Sequence, residues 1–308
     1  MPDRPSAHPG APTLADEQRA VIELIESTRE HVFVTGRAGT GKSTLLEAFL
    51  AQTDRTVVVC APTGVAALNV GGQTIHSLFR LPIGLIADAD LDDAPHLRRL
   101  LGGVDTVVID EVSMVSADLM DAIDRRLRSA RSRPREPFGG AQLVLFGDPY
   151  QLAPVPGRDA GERAYYADHY RSIWFFDAHV WHEADLRIVE LQTIHRQRDE
   201  AFRQMLSAVR HGEVTPEIGR ALNEAGARPA PDDGILTLAS TNATVSRINS
   251  RELAQLEGAV KTARAEVVGE FGGAGGYPAD ESLQLKVGAQ VMFLRNDTQG
   301  DGAPRWVN

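Results

Sequence analysis

Three short groups of residues in this 308-residue chain have the types and spacing of phosphate chemistry. Gly36, Gly41, Lys42 and Ser43 fit G-x-x-x-x-G-K-[ST], with the apolar run HVFVT before them and the amphipathic stretch KSTLLEAFLAQ after them. In a strand–loop–helix setting, glycines at 36, 39 and 41 let backbone N–H groups turn toward phosphate oxygens. The helix N-terminus adds positive potential, and Lys42 reaches the outer phosphates. Thr40 and Thr44 complete the phosphate-binding run, and the Ser43 hydroxyl suits Mg2+. A chance glycine-rich turn is the alternative, and the flanking strand and helix count against it.

The second group is VVIDE. There Asp110, at a strand tip, would hold Mg2+ through water, and Glu111 would orient and deprotonate an attacking water. Adjacent acids at a strand end are common, so this pair gains weight only from the loop before it. The third is LFGDPYQL, where the amide of Gln151 is suited to the γ phosphate of a nucleoside triphosphate. A lone glutamine there would otherwise be an ordinary loop residue.

These groups need strand tips to stand on. HVFVT (31–35), TVVVCA (56–61), TVVID (106–110), QLVLF (142–146) and LRIVEL (186–191) are almost wholly apolar, as strands covered on both faces are, and ILTLAS is a further candidate. Helical periodicity runs through LADEQRAVIELIEST, KSTLLEAFLAQ, SADLMDAIDRRLRSA and DEAFRQMLSAVRHGE, with Ser116 and Asp199 as N-caps of the last two, and a shorter helix sits near TPEIGRALNEA. The fold class expected is α/β with a parallel sheet covered by helices. A change to glycine, proline and acidic residues puts a domain boundary near residue 228, and GEFGGAGGYPAD reads as a hairpin or loop.

Bulk composition sets limits. Hydrophobic residues make up 43%, enough for a large core, and no apolar run approaches the roughly eighteen residues of a membrane span. The proline-rich start lacks a secretory pattern and reads as a disordered lead-in over residues 1–13, so a cytoplasmic protein is expected. A net charge of -10 argues against coating nucleic acid by bulk electrostatics, though not against a local groove. The arginines at 125, 126, 128, 131, 133 and 135 read first as a solvated helix end and loop. The single cysteine, Cys60, excludes an internal disulfide and reads as a buried structural thiol.

APTGVAALNVGGQTIHSLFRLP (61–82), lying between the first two groups, makes the order specific. With LADEQ (14–18), GRAGTGKST, VVIDEVSMVSADLMDAID, GDPYQLAPV and LQTIHRQRDEAFRQMLSAVRHGE (191–213), it resembles the petite-integration-frequency (PIF) helicases, RecD-like motors of superfamily 1B. STNATVSRINS (240–250) and LKVGAQVMFLRND (285–297) are similar to the opening of that family's second domain. The resemblance implies a RecA-like P-loop NTPase domain over 14–228 and an incomplete second RecA-like domain over 229–308. It makes Gln18 an adenine contact and Arg196 a charge-stabilising group at the γ phosphate. It also makes Pro62, Thr63, Thr74, His76 and Asn242 contacts to single-stranded DNA, with Phe79 placed to stack on a base. Packing of His76 and Phe79 beneath the sheet, and a helix-capping ion pair for Arg196, are the alternatives. Pro149 and His195 stand where the family more often has aromatics.

By the same resemblance the cofactors are ATP and Mg2+, and the partners are single-stranded DNA and duplex junctions. The activity implied is ATP-driven 5′-to-3′ translocation, in the service of DNA repair, recombination and telomere maintenance. The family's later segments, including a second arginine for the ATP site, have no counterpart before Asn308, so a fragment of a longer helicase is expected. A nucleotide-dependent DNA-binding module without turnover is the competing function. A phosphate-loop kinase is a weaker one, which leaves residues 61–82 unexplained.

Overall fold

All five apolar runs expected as strands in the first two hundred residues form strands, and they do so in one sheet. The computed structural model describes residues 14–87, 91, 95–155, 160–197, 199–228, 236–266 and 280–292. The strands are β1 (His31–Gly36), β2 (Val57–Ala61), β3 (Gln73–Thr74), β4 (Thr106–Ile109), β5 (Gln142–Phe146) and β6 (Leu186–Leu191). They lie in the order β3-β2-β4-β5-β1-β6, and every pairing is parallel.

The continuous apolar runs divide between two cores, because successive side chains of a strand point to opposite faces. Val32, Val34, Val108, Val144 and Phe146 pack on one face with helix α1 (Asp16–Ser27) and helix α2 (Lys42–Gln52), whose Leu45, Leu46 and Phe49 are fully buried. Phe33, Val107, Ile109, Leu143 and Leu145 pack on the other. That face is covered from α4 (Ile75–Phe79), α5 (Pro95–Leu101), α6 (Ala117–Ala130) and α8 (His179–Glu183), which follow α3 (Gly64–Asn69) and flank α7 (Ala160–His169). Burying each of these large apolar side chains contributes about 2–3 kcal/mol. The strand β6 departs from expectation: it is an edge, and Ile188 is 60% exposed.

Intramolecular bonds occupy much of the arginine cluster. Arg128 pairs with Asp124 at 2.7 Å and Glu183 at 2.6 Å. Arg131 donates to the carbonyls of Gly139, Leu101 and Val104. Arg126 donates to the Arg80 carbonyl, and Arg133 pairs with Glu136. Cys60 is fully buried, its thiol pushed up by that burial. Asp199 caps α9 (Glu200–His211) by accepting from the Phe202 N–H, whereas Ser116 sits at the α6 N-cap position without a side-chain capping bond.

The chain divides into two compact units at Glu213/Val214, earlier than the boundary expected near 228. Helix α10 (Pro216–Gly226) therefore belongs to the second unit. That unit also holds α11 (Asn242–Gln255) and an antiparallel pair, β7 (Lys261–Arg264) with β8 (Ser282–Leu285). Leu236–Ala239, within the expected strand ILTLAS, is not a strand. The lead-in 1–13, most of GEFGGAGGYPAD and the end of LKVGAQVMFLRND lie outside the described residues.

Candidate nucleotide site

Because β4, β5 and β1 are parallel neighbours, their carboxyl ends gather the three sequence groups at one edge of the sheet. The chain leaves β1 and crosses β5 and β4 to reach β2, so these strands stand side by side although they are far apart in sequence.

The loop after β1 is shaped by Gly39 (φ +84°) and Gly41 (φ +80°), both in the left-handed region. A Cβ at Gly39 would lie 2.7 Å from Arg196 Cβ, and one at Gly41 only 2.4 Å from Gln18 Nε2. The glycines thus admit two distant segments against the loop. Gln18 is 3% exposed, accepts from the Ala15 N–H and donates to the Gly41 carbonyl. The Gly39 carbonyl accepts from the N–H groups of His195 (2.8 Å) and Arg196 (3.3 Å). Glu17 ties the same strap to α1, accepting from the Gln192 and Thr193 N–H groups. Burial works to raise the Glu17 pKa, but these bonds outweigh it and the net shift is downward.

Lys42, at the start of α2, donates to the carbonyls of Gly36 (2.7 Å) and Arg37 (3.2 Å). Burial lowers its pKa, while Asp148, Glu111 and Asp110 pull the other way. Asp110 is pushed up to about 6, first by burial and then by the charge of Glu111, against the Glu111 N–H bond and Lys42. Glu111 itself has φ 52° and ψ 42°, an unusual conformation for a non-glycine residue and a local strain of the kind that collects at working sites. Ser43 is exposed on the first turn of α2. Thr40 is fully buried and its hydroxyl donates to the Arg37 carbonyl, so its side chain braces the loop and only its backbone can face a phosphate. Thr44 is half-buried beside Ser43.

Gln151 donates to Asp148 (3.3 Å) at the end of β5. The Arg196 side chain is exposed. Two groups escaped the sequence reading. Asp148, 2% exposed, forms an ion pair with Arg210 of α9 at 3.0 Å, and the Arg210 guanidinium lies 4.2 Å from the centre of the Tyr150 ring. With Arg37, Gln151, Gln197 and Ser207, those residues line a cavity of about 230 Å³.

The second expected site lies at the ends of β2 and β3. Thr63 caps α3 by accepting from the Ala66 N–H, and Thr74 caps α4 by accepting from the Ser77 N–H. Pro62 and His76 are half-buried; burial lowers the His76 pKa, with Asp118 opposing. Phe79 contradicts its expected role: it is fully buried in the core with Ile75 and Leu78 and presents no face to a base. Asn242 is exposed at the start of α11, in the second unit.

Known proteins resemble this chain over most of its length. PIF1-like helicases as a family match residues 13–219. ATP-dependent DNA helicase PIF1 of Saccharomyces cerevisiae is 36% identical over 92% of this chain and 34% of its own length. ATP-dependent DNA helicase Pif1 of Bdellovibrio bacteriovorus is 34% identical over 96% of this chain and 65% of its own. The solved structure of Bacteroides Pif1 bound to ssDNA is 35% identical, with a TM-score of 0.79 over 90% of this chain and 64% of that one. Its counterpart in complex with ADP-AlF3 and ssDNA reaches 0.77 at 34% identity, over 89% of this chain and 64% of that one. The chain therefore spans between about a third and two thirds of the length of these relatives. With that family match covering residues 13–219, the chain belongs to the PIF1-like helicase family.

Proposed function

We propose that this chain is the ATP-binding motor portion of a DNA helicase, coupling ATP hydrolysis to 5′-to-3′ movement on single-stranded DNA. The observation that carries this reading is the convergence of Lys42, Asp110, Glu111 and Asp148 at three neighbouring strand ends, with the backbone of Arg196 bonded to the same loop. The triphosphate lies along the N–H groups of residues 36–44, and Gln18 meets the adenine on giving up its bonds to Ala15 and Gly41. Lys42 exchanges its two loop carbonyls for the outer phosphates. Glu111 accepts a proton from the attacking water, Gln151 contacts the γ phosphate, and Arg196 spreads the charge that develops there.

The donor set fits Mg2+. Ser43 and Asp110 offer only hard oxygen atoms, and no group of three or more His, Cys, Asp or Glu forms a cage among the described residues. That is the sparse protein contribution typical of a magnesium ion shared with phosphates. When bound, the ion neutralises charge on the β and γ phosphates. Ser43 and Asp110 are the residues that would hold it.

For DNA, a capping hydroxyl accepts but does not donate through its cap bond. Thr63 and Thr74 therefore each keep an O–H for a phosphate oxygen. His76, lowered by burial, adds a neutral donor, and Pro62 shapes the entry to α3. Asn242 offers an exposed amide within the second unit, which we read as the opening of a second RecA-like domain with its own contact to single-stranded DNA. Duplex junctions are the natural substrate of such a motor. Calorimetry of ATP–Mg2+ binding with Lys42→Ala tests the nucleotide half: the variant folds and loses binding, whereas retained affinity would sink the assignment.

A further inference from the structure

The two groups missed by sequence reasoning have a role that the site as described leaves open. Asp148 is 2% exposed yet ionisable, and a buried carboxylate needs partners. It has three: Arg210 Nη2 at 3.0 Å, the Tyr150 N–H at 3.1 Å and Gln151 Nε2 at 3.3 Å. Its charge also faces Lys42. Arg210 is anchored twice, through this ion pair and over the Tyr150 ring at 4.2 Å, and its own side chain is 12% exposed. One cation near the end of α9 therefore fixes the carboxylate that holds the Gln151 amide and faces the loop lysine. The planar fork of arginine suits this double duty, since it can pair with the carboxylate and stack on the ring at once.

We propose that Arg210 is a positioning residue for the γ phosphate, acting through Asp148 to aim Gln151 into the nucleotide site. The proposal rests on the reading of Gln151 given above. It makes α9 a part of the phosphate-sensing apparatus, so that displacement of α9 would release the glutamine.

The test is the preference of the 308-residue chain for a non-hydrolysable ATP analogue over ADP, measured as a ratio of dissociation constants by calorimetry. Gln151→Ala, Arg210→Met and Arg210→Lys are compared with the unmodified chain, each with a thermal melt. A hydrogen-bonded contact to a charged group is lost at a cost of about tenfold or more in affinity, so Gln151→Ala lowers the ratio by that amount. Arg210→Met lowers it comparably, and the double variant with Gln151→Ala lowers it no further, because both act through one contact. Arg210→Met leaves the buried Asp148 without its paired cation and lowers the melting temperature; Arg210→Lys keeps the charge, melts near the unmodified chain, and still loses several-fold in the ratio. A merely structural arginine would shift the melt and leave the ratio alone. If Gln151→Ala lowers the ratio while both Arg210 variants hold it within twofold, the proposal fails and the reading of Gln151 stands. If Gln151→Ala leaves the ratio unchanged, or the unmodified chain binds neither nucleotide, both fail together.

Discussion

Replacing Gly39 by alanine tests how the phosphate loop is tied to the strap that carries Arg196. The new Cβ would lie 2.7 Å from Arg196 Cβ and 2.8 Å from Gln197 Oε1, on a residue held at φ +84°. The left-handed backbone costs an alanine about 1–2 kcal/mol. Arg196 Cβ is not the free end of a flexible chain, so its backbone must retreat by roughly 0.7 Å to reach ordinary contact. That movement opens the 3.3 Å bond from the Arg196 N–H to the Gly39 carbonyl, a further loss of about 1 kcal/mol. A total of about 2–3 kcal/mol lowers the melting temperature by roughly 4–12 °C in a unit of this size. ATP affinity falls by about tenfold, because the loop N–H groups and Arg196 no longer share one geometry. Scanning calorimetry and ATP titration read the two effects. Gly64→Ala is the control, since nothing lies within 4 Å of its Cβ position. Wild-type melting and ATP affinity in Gly39→Ala would refute the account of the strap.

Two further outcomes follow from the same geometry. Thr63→Ala and Thr74→Ala each remove a cap and cost about 1 kcal/mol of stability, and the pair weakens single-strand binding without changing its salt slope, since no cation is lost; unchanged affinity by fluorescence anisotropy would leave both as caps alone. His31 accepts the Leu143 N–H through Nδ1, which requires a neutral ring, and burial lowers its pKa below 6.5. Its contribution is therefore complete above the unfolded value and is lost as pH falls through the folded one. Urea midpoints should decline from pH 7 toward pH 5, and His31→Leu should flatten part of that decline. An unaltered slope would place the acid sensitivity elsewhere.

The parallel sheet was legible because its strands are apolar on both faces. At β6 that reading went too far, since Arg187 and Glu190 already interrupt the run and mark an edge. The strand β3 is two residues long and exists only through its pairing with Cys60 and Ala61, so no periodicity could reveal it. Phe79 was open to a better reading: Ile75, Leu78 and Phe79 at i, i+3 and i+4 form a core face. Leu236–Ala239, the described part of the expected strand ILTLAS, pairs with no strand among the described residues, and an apolar run makes a strand only where it finds such pairing. The phosphate loop and the acids at 110 and 111 were visible because their chemistry is local in sequence. The ion pair of Asp148 with Arg210 joins residues 62 positions apart, and only the packing of α9 brings them together.

Glu111 as the base of a DNA-stimulated ATP hydrolysis is put to the test by measuring ATP turnover of this chain with and without single-stranded oligonucleotide. Slow basal turnover should rise with the oligonucleotide and fall about 10²- to 10⁴-fold in Glu111→Gln, the range for loss of a general base, with nucleotide binding retained. Hydrolysis indifferent to DNA, or undiminished in Glu111→Gln, would remove Glu111 from that role.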